Sequence, residues 1–424
     1  MSEAPESHTS GSPRKGSLFV VFLTVFIDLL GFGMVLPLLP IYGEHFTTDE
    51  QGWVLGLLMA SFSVMQFIFA PLWGRLSDRI GRRPVLMIGL AGSVVFYSLF
   101  AFATIRMSLA LLFLSRIGAG IAGATISTAQ AYIADSTSLE KRPKGMALIG
   151  MAFGLGLTFG PLLGLLAVPD KNAPPTATPG FVAAGLSLVA LLMAVFMLPE
   201  SKTVESEKAG RKIFDFAALR NAISIPSISF ILLAIFVCLF SFANFETTLS
   251  LLIFPDVKHV EGSPFNFTWG QVCLTYAFIG FTLALVQGGI VRRMSGKVPE
   301  GTMVATGALI EVIGFSLVLL AIYQQSSTWL YVALVVVVAG FSFMQPNLNS
   351  LLSRRSDPER QGMVLGVGQS VSSLARIVGS GLGIPLLKQG HGIPYYVAAG
   401  LMAVGFVLVL AAAARGRDYS TANS

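Results

Sequence analysis

Twelve long apolar runs, separated by short polar connections, dominate the pattern of this chain. They fall near residues 17–40, 51–73, 84–105, 108–132, 145–168, 180–198, 226–254, 269–291, 301–323, 328–352, 362–387 and 393–414. Each is close to the roughly 20 residues that an α-helix needs to cross a bilayer. The longest polar connection, SKTVESEKAGRKIFDFAALRNAISI, divides the runs six and six. The pattern predicts a disordered cytoplasmic tail at 1–16, a six-helix bundle at 17–200, a cytoplasmic linker at 201–225, a second six-helix bundle at 226–414, and a tail at 415–424. Within the linker, FDFAALRNA reads either as a short surface helix or as solvated chain. The first run is too long for a cleaved signal and lacks its cleavage site.

Composition agrees with the pattern. Of 424 residues, 54% are hydrophobic and only 12% charged, against about 25% charged in soluble domains. The expected class is an all-α membrane protein with twelve transmembrane helices. The 44 glycines suit close packing of such helices. The two cysteines, Cys238 and Cys273, both lie in apolar runs and read as small buried hydrophobes. A net charge of +6 raises nucleic acid as a partner, but the placement of the charges argues otherwise. With a cytoplasmic N-terminus, 22 of the 28 Lys and Arg fall in cytoplasmic segments, which is the positive-inside bias and puts both termini in the cytoplasm.

An internal repeat accompanies the six-and-six division. A shift of 217 residues sets Lys144-Gly145-Met146 on Gln361-Gly362-Met363, Arg75 on Arg292 and Gly164 on Gly381. Two pseudo-symmetric bundles with a substrate near the midplane are the layout of rocker-type secondary transporters.

Five charges lie within apolar runs, where each costs about 2.5–3.5 kcal/mol on insertion scales. They are Asp28, Arg116, Glu246, Glu311 and Arg376. Asp28 is a candidate proton-binding or substrate-contacting carboxylate, the alternative being a static ion pair or hydrogen bond; Glu246 is a candidate proton carrier, the alternative being a carboxylate that faces water near the exit. Arg116 either organises the first helix through Asp28 or binds an anion. Glu311 reads as a neutral acid or a structural pair. Arg376 is an anion site or a counter-ion for Glu246 or Asp28. Gln369, Ser373 and Arg376 share one helix face by their spacing. Gln345 and Asn347, Asn244, and the pair Gln66 and Gln130 are candidate polar lining of a substrate cavity, the alternative being helix-to-helix hydrogen bonds.

Residues Gly74–Pro84 read GRLSDRIGRRP, with five of eleven positions charged. Gly74, Asp78, Arg79, Gly81, Arg82 and Arg83 match the first-half loop signature of the major facilitator superfamily, which the chain resembles over nearly its whole length. Arg116 with Gly120 is similar to that family's helix 4 arginine motif. Gly156, Gly160, Pro161 and Gly164 resemble the helix 5 antiporter motif, departing from it at Leu165. Asp28 through Pro37 resembles the helix 1 motif of drug:proton antiporters, and Leu198-Pro199-Glu200-Ser201 their helix 6 ending. The closest resemblance is to tetracycline-resistance-like carriers, with NFETTLSLL and VQGGIVRRMSGK similar to the tetracycline-transporter-like organic-anion branch. The resemblance implies the major facilitator fold. It also implies a cytoplasmic gate around Asp78, with Asp135 or Arg142 as its expected partner. An acidic residue is missing from the second-half copy, Val291-Arg292-Arg293-Met294-Ser295, so an asymmetric latch is expected.

The expected function is proton-coupled antiport, exporting a small amphipathic or anionic organic compound across a bacterial inner membrane as a monomer. A uniporter or importer of a metabolite or lipid is the alternative, and a non-transporting receptor a third. Substrate, protons and bilayer are the expected partners, and no cofactor is expected. An enzyme is disfavoured, because the chain has no phosphate-binding P-loop, no nucleophile elbow and no His/Cys metal cluster.

Overall fold

The computed structural model describes residues 15–46, 53–167, 176–201, 226–253, 263–357 and 360–415. The linker expected at 201–225 lies, beyond Ser201, outside the described residues, as does nearly all of the N-terminal tail. The described chain is almost entirely helical. In chain order the long helices are α1 (Lys15–Phe46), α2 (Trp53–Ile80), α3 (Arg82–Ile105), α4 in two pieces (Leu109–Gly123 and Ile126–Asp135), α5 (Arg142–Ala167) and α6 (Thr178–Met197). The second set is α7 (Pro226–Ile253), α8 (Trp269–Leu285), α9 (Glu300–Gln324), α10 (Ser327–Arg354), α11 (Gln361–Gln389) and α12 (Ile393–Arg415). Eleven are long and apolar enough to cross a membrane by length and composition. The 28 residues of α2 make it the twelfth of spanning length.

Local chemistry sets the helix ends. The Ser108 side chain accepts the Leu111 amide at the start of α4. Thr268 and Gln271 close a reciprocal capping box at the start of α8. Gln325, with φ of 50°, ends α9 in the left-handed region, and Ser326 then caps α10. Two features depart from the regular pattern. α4 breaks at Ala124–Thr125, and α8 widens into one π turn, Val286–Val291, before Arg292–Met294.

Large apolar side chains such as Phe196, Leu166 and Tyr396 stand exposed, as a surface facing lipid tails requires. Helices within each half pack through small residues. Gly33 of α1 abuts the Gly156 backbone of α5, Gly180 of α6 abuts Ala101 of α3, and Gly307 and Gly340 bring α9 against α10. Between the halves, α2 packs on α11 and α5 on α8 and α10. These approaches are backbone to backbone. A Cβ on Gly74 would overlap the Gly362 carbonyl, one on Gly366 would lie 2.6 Å from the Ala70 carbonyl, and one on Gly154 would lie 2.6 Å from the Ala284 amide. The Gly74 contact lies at the 74–84 loop itself, on the side of the molecule here termed the loop face.

The glycine seams have a measurable cost of substitution. A Cβ at Gly33 would sit 2.5 Å from the Gly156 carbonyl oxygen, whereas one at Gly185 meets nothing within 4 Å. Gly33→Ala is expected to destabilise by about 1–3 kcal/mol through overpacking and to lower the melting temperature in detergent. Gly185→Ala is expected to leave that temperature unchanged.

Candidate functional site

Three features make up the candidate site: a charged cluster at the loop face, a set of isolated intramembrane charges, and an aromatic pocket between the halves that Glu246 lines.

The cluster is built around Arg82, the first residue of α3, whose side chain has no exposed surface. Its Nη1 lies 2.7 Å from Asp78 Oδ1 and donates to Ser77 Oγ at 2.7 Å. Its Nε donates to Asp135 Oδ2 at 2.8 Å, at the end of α4. Asp78 also faces the other half. Its two oxygens accept the amides of Gly362 and Met363, at 3.2 and 2.9 Å. These are free N–H groups in the first turn of α11, where the helix dipole favours an anion. Gly74 and Gly362 permit this contact, since a Cβ on Gly362 would meet Arg82 Nη1 and Asp78 Oδ1. The expectation of Asp135 or Arg142 as partner of Asp78 is therefore corrected in detail. Asp135 joins through Arg82, because two carboxylates need a cation between them, and Arg142 donates to the Ala134 carbonyl at 3.1 Å. Arg79 is half-buried beside the cluster, and Arg83 donates to the Val195 carbonyl. At the second-half loop Arg292 and Arg293 are exposed, and Glu300 at the start of α9 pairs with Arg354 at the end of α10 at 2.5 Å, a contact within that half.

Ion pairing is an expected alternative for Asp28, Arg116, Glu311 and Arg376. Among the described residues, none of the five intramembrane charges is in an ion pair. Each is accommodated separately. Asp28 accepts the Ser187 hydroxyl of α6 at 3.1 Å, which turns it toward its own bundle. Arg116 lies over the Phe62 ring of α2, 4.8 Å from its centroid, and its Nε has no hydrogen-bond partner. Glu311 is fully buried against Gly340 of α10, with neither carboxylate oxygen hydrogen-bonded. Arg376 of α11 reaches across the halves to the face of Phe153 of α5, 5.8 Å from its centroid. Cations gain about 0.5–2 kcal/mol from such ring contacts, so both arginines are held without a carboxylate.

Glu246 lines a narrow pocket with about 10 Å³ of enclosed space, room for about one water molecule. Its walls come from both halves: Phe153 and Leu157 from α5, Phe242 and Phe245 from α7, Tyr276 and Leu283 from α8. Tyr276 donates to the Glu246 carbonyl at 3.1 Å, tying α8 to α7. Phe153 thus lines the pocket that Glu246 also lines, and its ring carries the Arg376 guanidinium. The pocket's aromatic walls were not singled out in the sequence, because a phenylalanine in an apolar run carries no mark of whether it faces lipid or cavity.

The expected polar lining stands apart from this pocket. This pocket's walls include none of Gln66, Gln130, Asn244, Gln345, Asn347, Gln369 or Ser373. Gln66 donates to the Gly123 carbonyl, Asn244 to the Pro394 carbonyl and Asn347 to the Phe343 carbonyl. Ser373 donates to the Gln369 carbonyl, one turn back on its own helix. Gln130 is buried within α4, and Gln345 and Gln369 are half-buried. The Asn244 and Asn347 nitrogens thus find backbone carbonyls, while their buried Oδ1 atoms have no hydrogen-bond partner. The antiporter-motif residues serve packing: Gly156 and Gly160 of α5 seat on Leu29 and Gly33 of α1, with Pro161 inside the helix and Gly164 buried. Among the described residues no group of His, Cys, Asp or Glu could hold a metal ion.

Known proteins share this arrangement. The Major Facilitator Superfamily model matches residues 21–380. The chain is 30% identical over 369 residues to the class D tetracycline resistance protein of Salmonella ordonez, covering 86% of this chain and 88% of that one. It is 30% identical to major facilitator superfamily domain-containing protein 10 of Bos taurus, covering 88% of each. The crystal structure of the human organic anion transporter MFSD10 (TETRAN) superposes with a TM-score of 0.80 at 29% identity, covering 94% of this chain and 99% of that one. A twelve-helix membrane fold, halves joined at a charged loop, and a family match over most of its length together place the chain: it belongs to the major facilitator superfamily of transporters.

Proposed function

We propose that the protein is a proton-coupled antiporter that exports a small amphipathic or anionic organic compound by alternating access. The observation that carries this reading is the pocket shared by the halves, lined by Glu246 and by Phe153, whose ring meets Arg376. The Arg376 guanidinium, held by a ring rather than by a carboxylate, is available to an anionic group. The rings of Phe153, Phe242 and Tyr276 offer stacking surface to an apolar body. Glu246 and Asp28 are the proposed proton carriers, Glu246 being the one at the pocket. Inward proton flow is worth about 2.3 kcal/mol per charge per 100 mV, enough to drive export. The tetracycline resistance proteins and the organic anion transporter among the relatives support this substrate class.

The loop face is the proposed cytoplasmic side, with both termini there, as the charge bias supports. The bacterial tetracycline carriers among the relatives support a bacterial inner membrane. The proposed functional unit is the monomer, since the pocket is built from one chain. In this reading the Arg82 cluster is a one-sided cytoplasmic latch: while Asp78 holds the start of α11, the halves stay joined at that face.

Two experiments test these roles. In proteoliposomes, Asp28→Asn combined with Glu246→Gln is expected to abolish proton flux driven by tetracycline or by a fluorescent aromatic carboxylate, and flux that persists refutes the assignment. Asp78→Asn is expected to slow transport severalfold without reducing membrane insertion, since breaking a buried charged contact costs about 3–5 kcal/mol. Unchanged uptake kinetics at equal expression would remove the latch from the mechanism.

A further inference from the structure

The geometry points to Glu200 as a positioning residue of the loop-face latch, acting on Arg82 from the point where the first half ends. This inference rests on the latch reading proposed above.

Glu200 lies three residues beyond the end of α6, at the start of the connection to the second half. Its Oε1 accepts the Arg82 amide at 2.8 Å, and its Oε2 accepts the Arg83 amide at 3.0 Å. These are the first two amides of α3, which no helical carbonyl can satisfy. The residue that would normally cap them, Gly81, has no side chain to do so. Gly81 instead takes a φ of 98°, and a Cβ there would lie 2.5 Å from Glu200 Oε2. A carboxylate from a distant segment thus replaces the local cap, and the glycine leaves room for it.

Arg82 therefore meets carboxylates at both ends. Glu200 holds its backbone, while Asp78 and Asp135 hold its guanidinium. The guanidinium is rigid and must reach two acids on different helices, so a small shift of the first turn of α3 moves it off one of them. The surrounding contacts fasten the same segment. Tyr132 of α4 donates to the Pro199 carbonyl at 2.9 Å, Arg83 donates to the Val195 carbonyl, and Leu198 is buried. The head of the linker and the latch thus form one fastening, and a neutral side chain at position 200 loosens the grip of Asp78 on α11 without touching either.

The test uses Ser370, whose hydroxyl donates to the Phe67 carbonyl across the α11–α2 seam. Ser370→Cys is a reporter in the purified full-length protein, and maleimide labelling reads how often the seam opens. Cys238 and Cys273 are buried and set the background. Asp78→Asn serves as the positive control. Glu200→Gln is expected to label about tenfold faster than the parent, the size of shift that follows loss of a charge-assisted hydrogen bond. Gly81→Ala, which displaces the same carboxylate, is expected to match it. Glu200→Asp is expected to fall between the two, a graded response that loss of folding would not give. Parental labelling by Glu200→Gln or Gly81→Ala, in monodisperse protein with Asp78→Asn fast, overturns the role of Glu200. Parental labelling by Asp78→Asn overturns the latch itself.

Discussion

A fully buried guanidinium sets the terms for the rest of this structure. Arg82 has no exposed side-chain surface, and the effective penalty for burying one such ion is several kcal/mol. The fold offsets that penalty with carboxylates from two helices and a serine hydroxyl. One of those carboxylates, Asp78, also supplies the anion at the start of α11. Charge neutralisation within the first half and adhesion between the halves therefore depend on one side chain. On the proposed cycle they would be lost and regained together, which favours two discrete arrangements over a continuum.

The glycine seams let that coupling act at short range. Where α2 meets α11 and α5 meets α8, no side chains separate the backbones at Gly74, Gly154 and Gly366. Dispersion between atoms this close falls off steeply with a small gap. The seam is thus strong when shut and weak once parted. The aromatic pocket draws walls from both halves as well, so parting the seam and reshaping the pocket are motions of the same helices.

Much of this was legible in the chain, and the parts that were not have identifiable reasons. The twelve spans follow from apolar length, which lipid enforces. The loop cluster was visible because charges at Asp78, Arg82 and Arg83 are conspicuous between apolar runs. The pairing of intramembrane charges was not. Asp28 is met by a serine, Arg116 and Arg376 by rings, and Glu311 by no donor. Sequence shows that a charge is present but not which neighbour the bundle turns toward it. Asn244 and Asn347 each donate to a backbone carbonyl, a partner that the sequence does not reveal. Glu200 looked like the end of a helix, and only the fold brings it to the amides of α3.

The π turn in α8 bears on the ancestry of the two halves. Such a turn holds one residue more than the α-helical turn it replaces, and α2, which the 217-residue offset pairs with α8, is assigned as regular helix throughout. No single offset can then hold along both helices. Residues before Val286 and after Val291 require alignments that differ by one. A widened turn absorbs an inserted residue locally, so the helix beyond it keeps the same faces toward its neighbours. An insertion of this kind lets one copy of a duplicated unit drift in sequence while its packing surface stays in place. The shift of 217 that sets Arg75 on Arg292, beyond the π turn, therefore does not carry over unchanged to the residues before Val286.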